Sequence, residues 1–220
     1  MSIDLRKQAV KVVLQKKKLA HVQARVALVL DISGSMRKLY KEGVVQEAVE
    51  RVLAVASQFD DDGMLDVWVY DHEFARLAPV TERNLAGYVE REILQNKRIH
   101  KFGRNEEPQV MQDVLQKFVQ EEPSRAPAFI VFMNDGGCKP GIKKWIVEAS
   151  NQPLFWQFIG IGNGNFDLLR KLDEMGGRVV DNANFFHLPA LEETSDEVLY
   201  DALLDEFPQW LNEAKQKGIV

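Results

Sequence analysis

The sequence predicts a three-layer α/β/α, Rossmann-like fold with a mostly parallel sheet and one antiparallel edge strand. Three observations carry that reading. Short β-branched and aromatic runs are apolar almost end to end, as strands buried on both faces are. Amphipathic stretches of helical period lie between them, and one pair of runs stands too close together for a crossover helix. At 220 residues the chain is long enough for a single sizeable core.

Residues 1–23 are expected to form a leading basic amphipathic helix, and residues 24–220 a single globular domain. Arg6, Lys7, Lys11, Lys16, Lys17, Lys18 and nearby Arg25 face a single Asp4, while the whole chain carries −5, so the remainder is strongly acidic. Ala9, Val10, Val12, Val13 and Leu14 are too many apolar residues for a wholly solvated helix, so it should pack on the domain. A basic helix also suits an adaptor that touches nucleic acid or a membrane surface. Packing against the acidic remainder of its own chain is the simpler reading, and no nucleic-acid partner is expected.

The first strand is "RVALVLD" (25–31), followed by a helical pattern over about 41–59. "FDDDG" (59–63) lacks the spacing and terminal Glu of an EF-hand loop and reads as an acidic turn. "LDVWVYD" (65–71) is the second strand; only His72 and Glu73 separate it from "FARLAPV" (74–80), which is therefore the antiparallel edge, a place that tolerates Pro79. Helical patterns follow at 84–95 and 107–121, the latter stopped by Pro123. Strand "AFIVFMND" (128–135), helix 141–150, strand "LFWQFIGIG" (154–162), helix 166–175 and strand "NFFHL" (184–188) come next. "TSDE" at 194–197 reads as a capping box opening a last helix over 194–216.

In open α/β sheets, ligands sit outside the carboxyl ends of the strands where strand order reverses. The first strand ends on Asp31-Ile32-Ser33-Gly34-Ser35, whose carboxylate and two hydroxyls at alternate positions converge if the loop curls, and Asp135 ends another strand. A helix cap needs one such residue, not this set. With a polar residue from "HKFGRNEEP" (100–108) they form a hard, all-oxygen donor set that suits Mg²⁺, Mn²⁺ or Ca²⁺ and disfavours zinc.

Asp31-x-Ser33-x-Ser35 followed by Met36, a helix and a later strand ending in Asp135-Gly136 resembles a von Willebrand factor A (vWA) domain with its metal-ion-dependent adhesion site. "LVLDISGSM", "LYKEGVVQEAVERVLAVASQFDDDGMLDVWVYD" and "FIGIGNGNFDLLRKLD" are similar to the bacterial, TerF-like branch associated with tellurite-resistance and stress gene clusters. The resemblance covers nearly the whole chain. It implies that Ser33 and Ser35 bind the metal directly while Asp31 and Asp135 orient coordinated waters. The family's threonine ligand, in a Gly-rich turn, corresponds to Gly103-Arg104-Asn105, so Asn105 offers a carbonyl oxygen in its place and Arg104 puts a cation at the rim. The implied function is a protein interaction module, not an enzyme, that holds an Asp or Glu of a protein partner on its metal in a bacterial tellurite-resistance or stress-response system. The alternative from the enzyme class is a Mg²⁺-dependent phosphohydrolase with Asp31 as nucleophile, although Ser33 occupies the place where such enzymes put a second acid.

"GIGNGNFDLL" (160–169) lacks GxGxxG spacing and reads as a strand-to-helix turn in which Gly162 and Gly164 permit positive φ. His72, His100 and His187 form no helical i, i+4 metal pair and read as surface or hydrogen-bonded residues. Trp68, Trp156 and Trp210 read as core, and Trp145 as a surface anchor. The lone Cys138 excludes an intrachain disulfide, and the start of the chain lacks the apolar core of a signal peptide; a cytoplasmic setting is expected.

Overall fold

The computed structural model describes residues 1–59, 63–172 and 174–220; most of the acidic turn expected at 59–63 lies outside them. The chain opens with helix α1 (Ile3–Lys16), then strand β1 (Arg25–Asp31), a 3₁₀ turn (Gly34–Met36), and helices α2 (Arg37–Lys41) and α3 (Val44–Phe59). Strands β2 (Asp66–Tyr70) and β3 (Phe74–Arg76) form the hairpin. They are followed by α4 (Glu107–Leu115), β4 (Ala128–Asn134), α5 (Ile142–Ala149), β5 (Leu154–Ile161), α6 (Asp167–Arg170), β6 (Ala183–Leu188), α7 (Asp196–Leu203) and α8 (Phe207–Gln216).

The six strands lie in the order β3-β2-β1-β4-β5-β6, all parallel except β3. Strand order reverses between β1 and β4, which puts Asp31 and Asp135 at the switch point. Side chains alternate across the sheet. Val26, Leu28 and Leu30 pack with Phe129, Val131 and Met133 under α1, α3, α7 and α8, whereas Ala27, Val29, Ile130, Phe132 and Trp156 pack under α4 and α5. Trp68, Trp156 and Trp210 are buried; Trp145 is half-buried, with the Lys144 ammonium over its ring.

Helix α1 buries Val10, Val13 and Leu14 and exposes Val12. Four of the basic residues in and just after it pair within the chain: Arg6 reaches Asp196 (2.9 Å) and Glu47, Lys7 pairs with Glu82, and Lys16 and Lys17 pair with Asp201 and Asp205.

The helix expected at 107–121 runs as α4 to Leu115 and continues as a π-type segment over Gln116–Glu121. Other elements differ from expectation for local reasons. The edge ladder covers Phe74–Arg76 rather than 74–80, with only a Leu65–Val80 bridge beyond it, because Pro79 has no N–H to give and the Ala78 carbonyl is taken by the Tyr88 hydroxyl. The helix expected at 84–95 survives only as a π-type turn over Val89–Leu94, since Asn84 closes a turn on Thr81 and Pro79 and Gly87 has φ +63°. Helix α6 stops at Arg170, and the Arg178 guanidinium takes the Leu172 and Met175 carbonyls beyond it. The last helix breaks in two before Pro208, a residue that fits only the first turn of α8. Ser195, not Thr194, caps α7 through its hydroxyl to the Val198 N–H.

Candidate metal centre

Three loops meet at the switch point. The chain leaves β1 through Asp31, whose carbonyl accepts from the buried Tyr40 hydroxyl (3.0 Å) and whose Oδ1 accepts from the Ser33 N–H (2.6 Å). That short Asx turn curls the loop. The second loop is laid against the first by the Phe102 N–H on the Ile32 carbonyl and the Gly34 N–H on the Gly103 carbonyl (2.8 and 2.9 Å). The third leaves β4 through Asp135 and turns at Gly136 and Gly137, with φ of +125° and +69°, a conformation that costs glycine little.

The side chains then form one chain of oxygens. The hydroxyls of Ser33 and Ser35 are 3.1 Å apart, and the Ser35 hydroxyl donates to Asp135 Oδ1 at 2.9 Å. Ser33 stands at the N-cap position of the 3₁₀ turn, yet its side chain makes no capping bond, so its hydroxyl faces Ser35 and the acids of the site instead. Asp31 is fully buried, and among the described residues its Oδ2 has no hydrogen-bond partner. An ionised carboxylate oxygen left so is costly unless a cation or ordered water meets it. The donor set therefore fits a hard divalent cation.

Electrostatics agree. Burial pushes Asp31 up from 3.8 to about 7, only partly offset by the bonds from Ser33, with Asp135 and Glu107 adding like charge. Asp135 and Glu107 are raised as well, each chiefly by burial. Three carboxyl groups crowd a region of low dielectric, and a positive charge placed among them would favour all three anions.

Asn105 meets the rim from the second loop. Its Nδ2 donates to Glu107 Oε1 (2.8 Å) and toward the carbonyls of Gly136 and Gly137 (3.4 and 3.3 Å), which leaves Oδ1 as the atom it would offer an ion. Arg104 beside it is exposed. Glu107, which the sequence reading missed, is fully buried at the start of α4 and ties the second loop to the third, its Oε2 accepting from the Lys139 N–H (3.0 Å). An acid ahead of Pro108 looks like ordinary helix-start chemistry, so nothing in the sequence set it apart. Gly162 has φ +77°, but Gly164 is required for a different reason from the one expected: its Cα abuts the Asp135 carbonyl, and a Cβ would overlap it.

A sequence model described as the vWA domain found in the TerF C terminus matches residues 23–220. "Uncharacterized protein YcbR" of Bacillus subtilis (strain 168) is 66% identical over 219 residues, covering 100% of this chain and 90% of that protein. Among solved structures, proximal thread matrix protein 1 from the mussel byssus superposes with a TM-score of 0.63 at 16% identity, covering 84% of this chain and 47% of that one. This chain thus spans about half the length of the mussel protein. Another structure of that protein, with a zinc-occupied MIDAS motif, gives a TM-score of 0.56 at 16% identity, with 84% and 48% coverage. The SpRpn10 VWA domain gives 0.56 at 13% identity, covering 84% of this chain and 95% of that one. Among the described residues no helix is long and apolar enough to cross a membrane.

Proposed function

Because the chain belongs to the vWA family, in the branch found at the TerF C terminus, we propose that it is a divalent-metal-dependent protein interaction module. Asp31, Ser33, Ser35, Asn105 and Asp135 hold the ion. The observation that carries this reading is the chain of oxygens through Ser33, Ser35 and Asp135 beside the unpartnered, buried Asp31 Oδ2. The hard donors favour Mg²⁺, with Mn²⁺ or Ca²⁺ as substitutes, over the zinc held by the mussel protein.

Ser33, Ser35 and Asn105 would hold a Mg²⁺ ion directly, and the bound ion would supply positions at which water could be exchanged for an Asp or Glu carboxylate of a protein partner. The chain's own residues prepare that exchange. Asp31 and Asp135 orient coordinated waters, the two serine hydroxyls present lone pairs, and Arg104 attracts the arriving acid. From the resemblance of its sequence to the TerF-like branch, we assign the module to a bacterial tellurite-resistance or stress-response assembly in the cytoplasm.

Calorimetry with MgCl₂ and MnCl₂ tests the site: binding in wild type and its loss in Asp31→Ala and Ser33→Ala is expected, and equal binding by these variants would sink the assignment. Capture of partners with and without chelator tests the use. A partner released by chelator, restored by Mg²⁺ and not held by Asp135→Ala fits the proposal, whereas capture indifferent to all three puts the interface elsewhere. Turnover of a phosphate ester that depends on Mg²⁺ and on Asp31 would replace the interaction reading by the hydrolase one.

A further inference from the structure

We infer that Asp71, His72 and His100 form a second metal site, of nitrogen-rich donor character, that takes a zinc-class ion and braces the loop carrying Arg104 and Asn105. The three residues come from two separate segments, and the fold brings one ligand atom of each within 4.8 Å of the others. Asp71 Oδ2 lies 2.6 Å from His100 Nδ1, Asp71 Oδ1 lies 3.5 Å from His72 Nδ1, and the two imidazoles meet edge to face with centroids 4.2 Å apart.

The carboxylate is already positioned as a ligand. It is buried, and its two oxygens accept from the Glu73 and Gly103 backbone N–H groups, both at 2.9 Å. The histidines cover it from the solvent side, each side chain about two-fifths exposed (40% and 41%), so an ion can reach them. Tetrahedral zinc with bonds of about 2.0–2.1 Å sets its ligand atoms about 3.3 Å apart. The His72 pair is close to that spacing. The His100 pair is at proton-sharing distance, so an ion that replaces the shared proton must open it by about 0.7 Å, a small ring movement for a partly exposed side chain. Two imidazoles and one carboxylate suit Zn²⁺, Co²⁺ or Ni²⁺ rather than Mg²⁺, and three protein ligands leave a fourth position for water or for Glu73, which lines the same small cleft as His100.

The consequence follows from Gly103. Its N–H is held by Asp71 Oδ2, its carbonyl holds the Gly34 N–H between Ser33 and Ser35, and a Cβ at this position would collide with the His72 ring and Asp71. An ion bridging Asp71, His72 and His100 therefore fixes the peptide that connects the two sites. The assignment does not rest on occupancy of the hydroxyl site.

The test uses the full chain with Zn²⁺ and Co²⁺ as probes, in wild type, His72→Gln, His100→Gln and Asp31→Ala. The expected result is a visible Co²⁺ spectrum of nitrogen-ligand type and Zn²⁺ affinity that falls by about tenfold or more in each histidine variant. Both should persist in Asp31→Ala, and with Zn²⁺ absent the histidine variants should bind Mg²⁺ as wild type does. Hydrogen exchange at residues 102–105 should slow when Zn²⁺ is added to wild type. If a histidine variant fails to fold, imidazole NMR of wild type decides: Zn²⁺ should shift His72 and His100 and leave His21 and His187 in place. Zn²⁺ affinity equal in wild type and folded histidine variants, zinc lost only in Asp31→Ala, or shifts confined to His21 and His187 would overturn the assignment. Absence of Mg²⁺ binding in wild type itself would count against the hydroxyl site and leave this one standing.

Discussion

Replacing Asp31 by Asn removes the charge and nearly keeps the shape, and it should raise stability while it abolishes metal binding. The wild-type carboxyl is held at about 7, mainly by burial, against 3.8 in the unfolded chain. Between those values the folded state keeps a proton that the unfolded state has released. Stability therefore falls as pH rises through that window, at about 1.4 kcal/mol per pH unit, to a total of about 4 kcal/mol. Asn has no such slope. In chelator at pH 8 the variant should be more stable by about 3 kcal/mol, once about 1 kcal/mol is allowed for an amide that replaces the carboxylate's hydrogen bonds imperfectly. For a chain of this size that is about 6–12 °C in Tm. The assay is thermal unfolding of both proteins from pH 4 to pH 8, with chelator or Mg²⁺. The difference between the two should grow with pH in chelator and shrink in Mg²⁺, because only wild type gains from the ion. A variant no more stable than wild type at pH 8, and as responsive to Mg²⁺, would refute the reasoning from buried charge.

Three further predictions use other parts of the molecule. Ser33→Ala and Ser35→Ala should each remove Mn²⁺ binding in a calorimetric titration with little change in melting, since the hydroxyls' bonds are to one another and to the carboxyl groups of Asp31 and Asp135 within the site. Asn105→Thr should cost about 1–2 kcal/mol in urea unfolding because Glu107 Oε1 loses its donor, yet strengthen Mn²⁺ binding if a hydroxyl there serves the ion better; weaker Mn²⁺ binding would mean that the asparagine is adapted to the site. Arg6→Ala should cost about 3 kcal/mol at unchanged urea m-value, because buried Asp196 keeps only Arg51 (3.3 Å) as a partner; a loss under about 0.5 kcal/mol would show that Arg51 alone suffices.

The sheet was legible because strands buried on both faces leave a contiguous apolar signature, and each of the six was anticipated to within a few residues. Helices were less legible where one residue overrode the period, as Pro208 does between α7 and α8 and Gly87 does before Val89. The same contrast holds at the site. Asp31, Ser33 and Ser35 lie in one short loop whose spacing shows in the sequence. Glu107 and the Asp71, His72 and His100 cluster do not, because the partners that mark them, Lys139 for Glu107 and His100 for Asp71, come from loops that only the sheet topology brings together. The histidines were read one by one as surface or hydrogen-bonded groups, which His100 is; no linear spacing marked them as a set.

A count of charge links the two parts of the proposed function. With Asp31 and Asp135 ionised, a divalent cation brings the site to neutrality; with Glu107 ionised as well the site stays negative, and all three carboxyls are pushed toward the protonated form by burial. An incoming carboxylate adds one negative charge to a place that already resists it. Two features of the chain relieve that excess. Glu107 can remain protonated more readily than an exposed glutamate, and Arg104 supplies a full positive charge on the exposed segment between Gly103 and Asn105. Where a short Gly-Thr turn would let the ion alone attract the acid, this chain carries an exposed guanidinium one residue before Asn105, a planar fork of the kind that can bind a carboxylate through two bonds. The loop that contributes it is the one held by Asp71 on one side and Gly34 on the other, so its placement depends on contacts to both loops rather than on the ion alone.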